Sequence, residues 1–327
     1  MTRSDPPPLL PLCPQSGEIL AAMAAVAKAG GAALSEMDRR MLRGAERFIF
    51  AAEPSDLDRL AESTPQALAA SLSDRGLAQE ALRFLAVMSI VDGAIEEARI
   101  QAVLAYAEAL SLDDPYLKIL RMSRAGEESA ALAEMTNFNM ISITGQPWRS
   151  GDINDWLQPY GEGQDDPALA ARFEALGDLP AGAFGQAFWA HFKANAYQFP
   201  GEPEALNGIF SVPHDAAHVL SGFGTDARGE ILVSTFTSTM HPIYPLAGHV
   251  LPVIFTWHLD IQINRFAGDD RGCLDPEVFW RAWAGGAATS IDTFDPAWNF
   301  WDHVEEPLIA LRRRWSLPDA GLDLEAT

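Results

Sequence analysis

An all-α protein, arranged as two helical domains of which the second is a bundle carrying a helix hairpin, is the fold class this sequence predicts. Three observations carry that expectation. No stretch of the first half alternates apolar and polar residues over any length, as a half-buried strand would. From Ile95 to Leu110 the apolar residues Ile100, Val103, Leu104, Ala107 and Leu110 recur at three- and four-residue spacing, while Arg99, Gln101 and Glu108 fall elsewhere. In the second half Phe184, Phe188 and Phe192 stand four apart, one continuous stripe if 181–196 is a helix.

A chain of 327 residues is long for a single core. Usage also changes along it: every tryptophan lies at or beyond Trp148 and every histidine at or beyond His191, whereas the first third is rich in alanine, leucine and glutamate. The Gly-, Pro- and Asp-rich stretches "TGQPWRSGDINDW" and "PYGEGQDDP" place the join between them. The expected organisation is a tail (1–17), an N-terminal helical domain (18–140), a linker region (141–178), a second helical domain (179–318) and a closing tail (319–327). Within the first domain further helices are expected to start near Glu18, Ser35, Leu77 and Asp113.

Composition excludes some functions. With 23 basic against 45 acidic residues the formal charge is -22, which repels nucleic acid phosphates, so no nucleic-acid partner is expected. Cys13 and Cys273 are too few for a disulfide framework or a thiolate metal cluster, and suit a reducing cytoplasm. The opening "MTRSDPPPLLPLCPQSGE" lacks the apolar core of a signal peptide. The longest apolar run, His241 to Asn264, carries three prolines and three histidines and reads as a buried helix rather than a membrane span. The expected location is cytoplasmic, peripheral at a membrane at most.

The chemistry concentrates in "VPHDAAHVLSGFGTDARGEILVSTF", Val212 to Phe236. His214 and His218 are four apart, so on a helix they stand one turn above each other and can converge on one metal ion. Asp215, rotated by about 100°, is placed to be a third ligand, a partner of a ligand, or a base. Ser211 is expected to cap this helix, with Pro213 in its first turn. The glycines of "SGFGTDARGE" make a tight connection, and a new helix is expected near Arg228 or Gly229 with Glu230 in its first turn. Packed as an antiparallel hairpin, the two helices return Glu230 to the level of His218. Two imidazoles and two carboxylates suit zinc, manganese or ferrous iron. A zinc-protease reading is weaker, because Asp215 is one carbon shorter than the glutamate that serves there as base.

The Phe184, Phe188, Phe192 stripe and the parallel row containing His191 admit two readings: a packed core helix with one satisfied histidine, or the wall of an apolar lipid pocket with a polar edge. His241, His249 and His258, on or beside the apolar segment, either approach the site or, the commoner case on a buried helix, donate to backbone carbonyls; His303 is expected to make surface pairs with its acidic neighbours. The arginines of "LRRRW" either touch lipid phosphates or, the favoured reading, close a helix and complement its dipole.

His214, Asp215, His218 and, after eleven intervening residues, Glu230 form an HDxxH-x11-E pattern that resembles the coenzyme Q (ubiquinone) biosynthesis protein 4 family. The flanks "LPAGAFGQAFWAHFKANAYQFPGE", "HVLSGFGTDARGE" and the Trp- and Gly-bearing C-terminal segment ending "PLIALRRRWSL" are similar to that family as well, over about 179–317. More faintly, Leu85 to Leu112, with Asp92, Gly93, Glu96 and Glu97, resembles TerB-like helical domains. Asp92 and Gly93 also read simply as a turn, with the two glutamates at a helix start.

The first resemblance implies an all-helical domain with a divalent metal (zinc, iron or manganese) held by His214, Asp215, His218 and Glu230 beside an apolar groove for a polyprenyl tail. It further implies ubiquinone synthesis, with removal of the carboxylate from carbon 1 of a prenylated hydroxybenzoate head group and hydroxylation there. The implied partners are a prenylated aromatic lipid, other quinone-biosynthesis enzymes, a membrane surface and further copies of the chain. A non-catalytic lipid-binding scaffold for such enzymes is the alternative. The sequence departs from the family before the motif: where basic residues are typical, Asn207 to Pro213 contains none, so recognition of an anionic head group must come from elsewhere.

Overall fold

The computed structural model describes residues 14–147, 165–203, 205–261 and 271–317. Most of the expected leading tail, the middle of the expected linker and the closing tail lie outside the described residues. Among the described residues the protein is all-α, with no strand and one isolated bridge between Ala183 and Pro307.

The first half forms α1 (Ser16–Ala27), α2 (Glu36–Gly44), α3 (Pro65–Ser71), α4 (Arg75–Met88), α5 (Glu97–Ala109), α6 (Pro115–Arg124) and α7 (Glu128–Thr144). Their starts follow from local chemistry. Ser35 Oγ accepts from the Asp38 amide while the Asp38 carboxylate accepts from the Ser35 amide, a reciprocal cap that satisfies two otherwise orphaned donors. Asp74 accepts from the Leu77 amide, and Pro65 and Pro115 occupy first positions, where a missing N–H costs nothing. α5 buries Ile100, Val103 and Ala107 of the predicted stripe but leaves Leu104 and Leu110 half-buried, and it buries Arg99, which the spacing puts off the stripe. The turn before it is an ion-pair anchor: the buried Arg99 guanidinium donates to Asp38 at 2.8 and 3.0 Å and to Asp92 at 2.5 Å, and Ser35 Oγ donates to Asp92 at 2.6 Å.

The second half forms α8 (Pro167–Glu174), α9 (Phe184–Ala194), α10 (Gly208–Ser221), α11 (Ala227–Met240), a composite helix α12 (245–258), α13 (Pro276–Ala288) and α14 (Leu308–Arg314). In α12 wide π turns at Pro245–Val250 and Ile254–His258 flank Leu251–Val253. Pro252 lacks the amide that a regular turn needs there, and widened turns are one way to continue past it. No helix among the described residues is long and apolar enough to cross a membrane.

α10 begins earlier than expected. Asn207, not Ser211, caps it by accepting from the Ile209 amide, and Pro213 sits inside the helix. The carbonyl that Pro213 leaves unpaired belongs to Ile209, an exposed residue of the first turn, where water can satisfy it.

Two clusters of buried residues support these helices. One joins the N-terminal helices to Ile231, Leu246, Val250, Ile254, Phe279, Trp280 and Trp283 of the second half. The other gathers Phe173, Phe184, Phe188, Phe192, Phe199 and Phe300 with the inner faces of α10 and α11. α11 contributes to both and is fixed by α13. A Cβ on Gly286 would lie 2.0 Å from the Phe236 carbonyl oxygen, so the two backbones meet at a distance only glycine permits. Thr239 Oγ1 donates to the Trp283 carbonyl at 2.8 Å beside that contact. The helix bearing Glu230 is thereby held in register.

Candidate metal centre

α10 and α11 form the hairpin that brings the chemistry together. One turn of α10 stacks His214 over His218. Asp226 caps α11 by accepting from the Gly229 amide at 2.8 Å, which sets Glu230 in the first turn facing back toward α10. Donor atoms of His214, His218 and Glu230 all lie within 4.8 Å of one another. His214 Nε2 and His218 Nε2 are 3.2 Å apart, and Glu230 places Oε2 3.5 Å from the first and Oε1 3.5 Å from the second. Donors around one ion at 2.0–2.1 Å in a tetrahedron sit roughly 3.3 Å apart. The residues present therefore fit a divalent metal in spacing and in donor type.

Both histidines are oriented by their surroundings. His218 Nδ1 lies 3.1 Å from the Phe223 carbonyl, which can only accept, so Nδ1 carries the proton and Nε2 presents its lone pair to the centre. His214 stacks on Phe210 with ring centroids 4.9 Å apart. Without metal the three form a charge-coupled set. Burial opposes the charge on Glu230, but the imidazoles of His218 and His214 outweigh it and hold the carboxyl well below the usual range. Burial likewise opposes a charge on His218, and Glu230 outweighs it, lifting the imidazole above its ordinary value.

Asp215 does not join the converging donors. Its Oδ1 lies 2.8 Å from His191 Nε2, and that ring stacks against His218 with centroids 5.5 Å apart. Of the open readings of Asp215, its contact is with the ring that supports a donor. The aromatic stripe divides in the same way. Phe184 and Phe188 are core residues rather than pocket residues, and His191 is spent on Asp215, whereas Phe192 lines the cavity that the centre opens onto.

That cavity has a volume of about 560 Å³. His214, Asp215 and Glu230 share its wall with apolar Phe192, Phe210, Val253, Trp257 and Phe294, and with neutral Asn139, Thr237 and His249. Its described lining contains no lysine or arginine.

The remaining histidines are partly as expected. His258 Nε2 donates to the Val91 carbonyl at 2.8 Å, and His241 meets the Ser142 carbonyl at 3.2 Å and Asp292 at 2.8 Å. His303 pairs with Glu306, 2.9 Å away. His249 differs: its partner is a side chain, Ser142 Oγ at 2.8 Å, rather than a backbone carbonyl. Arg312 donates to the carbonyls of Val219 and Leu220, both at 2.9 Å, and so caps the end of α10 rather than meeting a ligand. Asn139 and Ser142 escape sequence reading, since nothing in their neighbourhoods marks residues that pack against a segment over a hundred positions away.

No family model matches this chain, and no curated protein matches it. Among solved structures it is similar to that of a candidate ubiquinone biosynthesis protein from Nostoc punctiforme PCC 73102, at 18% identity over 62% of this chain and 94% of that one, with a TM-score of 0.32.

Proposed function

We propose that this chain is a metal-dependent enzyme of ubiquinone biosynthesis that carries out an oxidative decarboxylation: the carboxylate leaves carbon 1 of a prenylated hydroxybenzoate head group as carbon dioxide and a hydroxyl takes its place, with an external two-electron oxidant such as dioxygen as co-substrate. The observation that carries the reading is the convergence of His214, His218 and Glu230, with His214 and Glu230 on the wall of a cavity large enough for a substituted ring. The choice of pathway rests on the HDxxH-x11-E pattern and its flanks.

Electrostatics supports a metal. An anionic ring in this cavity meets Asp215 and Glu230 and no described lysine or arginine, so a cation held there would offset the repulsion of its carboxylate. His214, His218 and Glu230 would hold a divalent ion, which would supply that charge and polarise the carboxylate. The chain's own residues do the rest. Phe192, Phe210, Trp257 and Phe294 exclude water and flank the ring. Asp215, hydrogen-bonded to His191, reaches the cavity wall and is the group able to hold a proton beside the centre.

Elemental analysis of the purified protein beside a His214→Ala/His218→Ala variant and an Asp215→Asn variant tests this. The expected result is about one zinc, iron or manganese ion per chain in the original, none in the double variant and full retention in Asp215→Asn. Carbon dioxide release from a prenylated hydroxybenzoate is expected to vanish in the double variant and to fall by about 10²-fold in Asp215→Asn. A metal-free original, or turnover undiminished in the double variant, sinks the proposal.

A further inference from the structure

The cavity wall carries a second polar group apart from the three converging donors. His249 on α12 is 6% exposed and lines the cavity. Its Nε2 lies 2.8 Å from Ser142 Oγ, and Nδ1 meets no protein partner among the described residues. Ser142 Oγ lies 2.8 Å from the Ile243 carbonyl as well. A carbonyl oxygen only accepts, and a serine hydroxyl has one proton to give. That proton is committed to Ile243, so the contact with His249 is made by an Nε2–H donating to Oγ. The tautomer is thereby fixed, and Nδ1 is left with a lone pair. The ring is neutral: burial first, then the imidazoles of His241 and His214, push its pKa down to about 3.

This arrangement is built by the packing of α7 on α12. Asn139 donates to the Gly248 carbonyl at 2.7 Å, and a Cβ on Gly248 would meet the Phe138 carbonyl group at 3.1 Å and the Asn139 amide at 3.2 Å. The helices approach at a glycine, and one turn further along α7 Ser142 reaches His249. A second group on the wall also lacks a partner. Thr237 has a buried hydroxyl with none, whereas Thr235 and Thr239 on the same helix bond to the Ile231 and Phe236 carbonyls. Buried polar groups in folded proteins are nearly always paired; Thr237 Oγ1 is buried without a partner, His249 Nδ1 takes none from the described residues, and both residues line the one cavity, where a ligand can satisfy them.

We propose that His249 is a substrate-recognition residue whose Nδ1 accepts a hydrogen bond from a hydroxyl group on the ligand's aromatic ring, with Ser142 as the positioning residue that fixes its tautomer. The assignment rests on the function proposed above and deepens it: an ion held by the three donors would meet the carboxylate, and His249 makes the cavity select phenols over the same ring without a hydroxyl.

Calorimetric titration of the metal-loaded full chain with a 3-prenylated 4-hydroxybenzoate, and with the same compound lacking the hydroxyl, tests this. The original is expected to favour the phenol by about tenfold, the worth of one buried hydrogen bond. His249→Phe is expected to bind both ligands alike with its metal content unchanged. Ser142→Ala, a smaller change that keeps the fold should His249→Phe fail to, is expected to lose about half of the preference on a logarithmic scale. If the original binds both ligands equally, or either variant keeps the full preference, the assignment falls while the proposed function stands. If neither ligand binds the metal-loaded original, the proposed function fails and this assignment with it.

Discussion

At His218 the two ring nitrogens have separate tasks: Nδ1–H is tied to the Phe223 carbonyl, and Nε2 is free to face its counterpart on His214. His249 is tied at Nε2 instead, and the difference sets a pH dependence. Its pKa is lowered from 6.5 to about 3, chiefly by burial. The unfolded chain takes up this proton below about 6.5 and the folded chain does not until about 3. The stability contributed by the neutral ring is therefore complete above about 6.5 and is lost as pH falls, by up to about 1.4 kcal/mol per pH unit. His258, also lowered by burial, acts in the same direction. His218, raised by Glu230 against its burial, acts oppositely: its contribution is complete below 6.5 and is lost as pH rises through its folded value. Urea unfolding of His249→Phe between pH 6.5 and 4.5 is expected to show a shallower loss of stability than the original, and equal slopes would contradict it. At this scale the sequence was legible where geometry is local. The four-residue spacing of His214 and His218 fixes their relative placement on any helix, whereas the direction of Asp215 depends on how α9 packs, and the partner of His249 lies 107 residues away.

Among the elements, α5, α9 and α11 could be read because one periodicity or one cap decides each, and α10 was misread because two signals conflicted. Ser211 and Pro213 together resemble a helix start, yet Asn207 offers a better-placed cap, and an interior proline costs less when the carbonyl it orphans is at the solvent-facing first turn. The π turns of α12 follow no apolar period and could not be anticipated. The contact that holds Glu230 in place is likewise invisible in the sequence: Gly286 looks like any glycine in a helix, where alanine would raise the intrinsic propensity by about 1 kcal/mol. Here the added methyl would meet the Phe236 carbonyl, a rigid backbone atom, at 2.0 Å. Gly286→Ala is therefore expected to destabilise the protein by about 1–3 kcal/mol and to weaken metal retention, because α11 must shift relative to α10. Thermal melts with metal analysis check this, and a variant as stable as the original would show that α13 does not set the register.

Across the whole molecule, the change in composition near residue 148 suggests two separately stable parts, and the packing gives reason to expect one cooperative unit. Trp280 Nε1 donates to the Met41 carbonyl and Trp283 Nε1 to Glu80, each at 2.9 Å, so α13 inserts two indoles among the N-terminal helices. Phe84 meets both rings, with centroids 5.2 and 5.6 Å away. Glu80 is itself buried and pairs with Arg83 at 3.0 Å, so withdrawing α13 would also expose a low-dielectric ion pair to rearrangement. The same α13 is locked to α11, which carries Glu230 and packs into the second cluster through Leu232, Val233 and Phe236. Neither cluster can come apart without disturbing a helix that belongs to the other. Scanning calorimetry of the full chain is therefore expected to show one transition whose calorimetric and van't Hoff enthalpies agree. Trp283→Ala should lower that single transition, at a cost of about 3–5 kcal/mol, without splitting it. Two resolved transitions in the original would mean that α13 docks on the N-terminal helices too weakly to couple them to the metal centre.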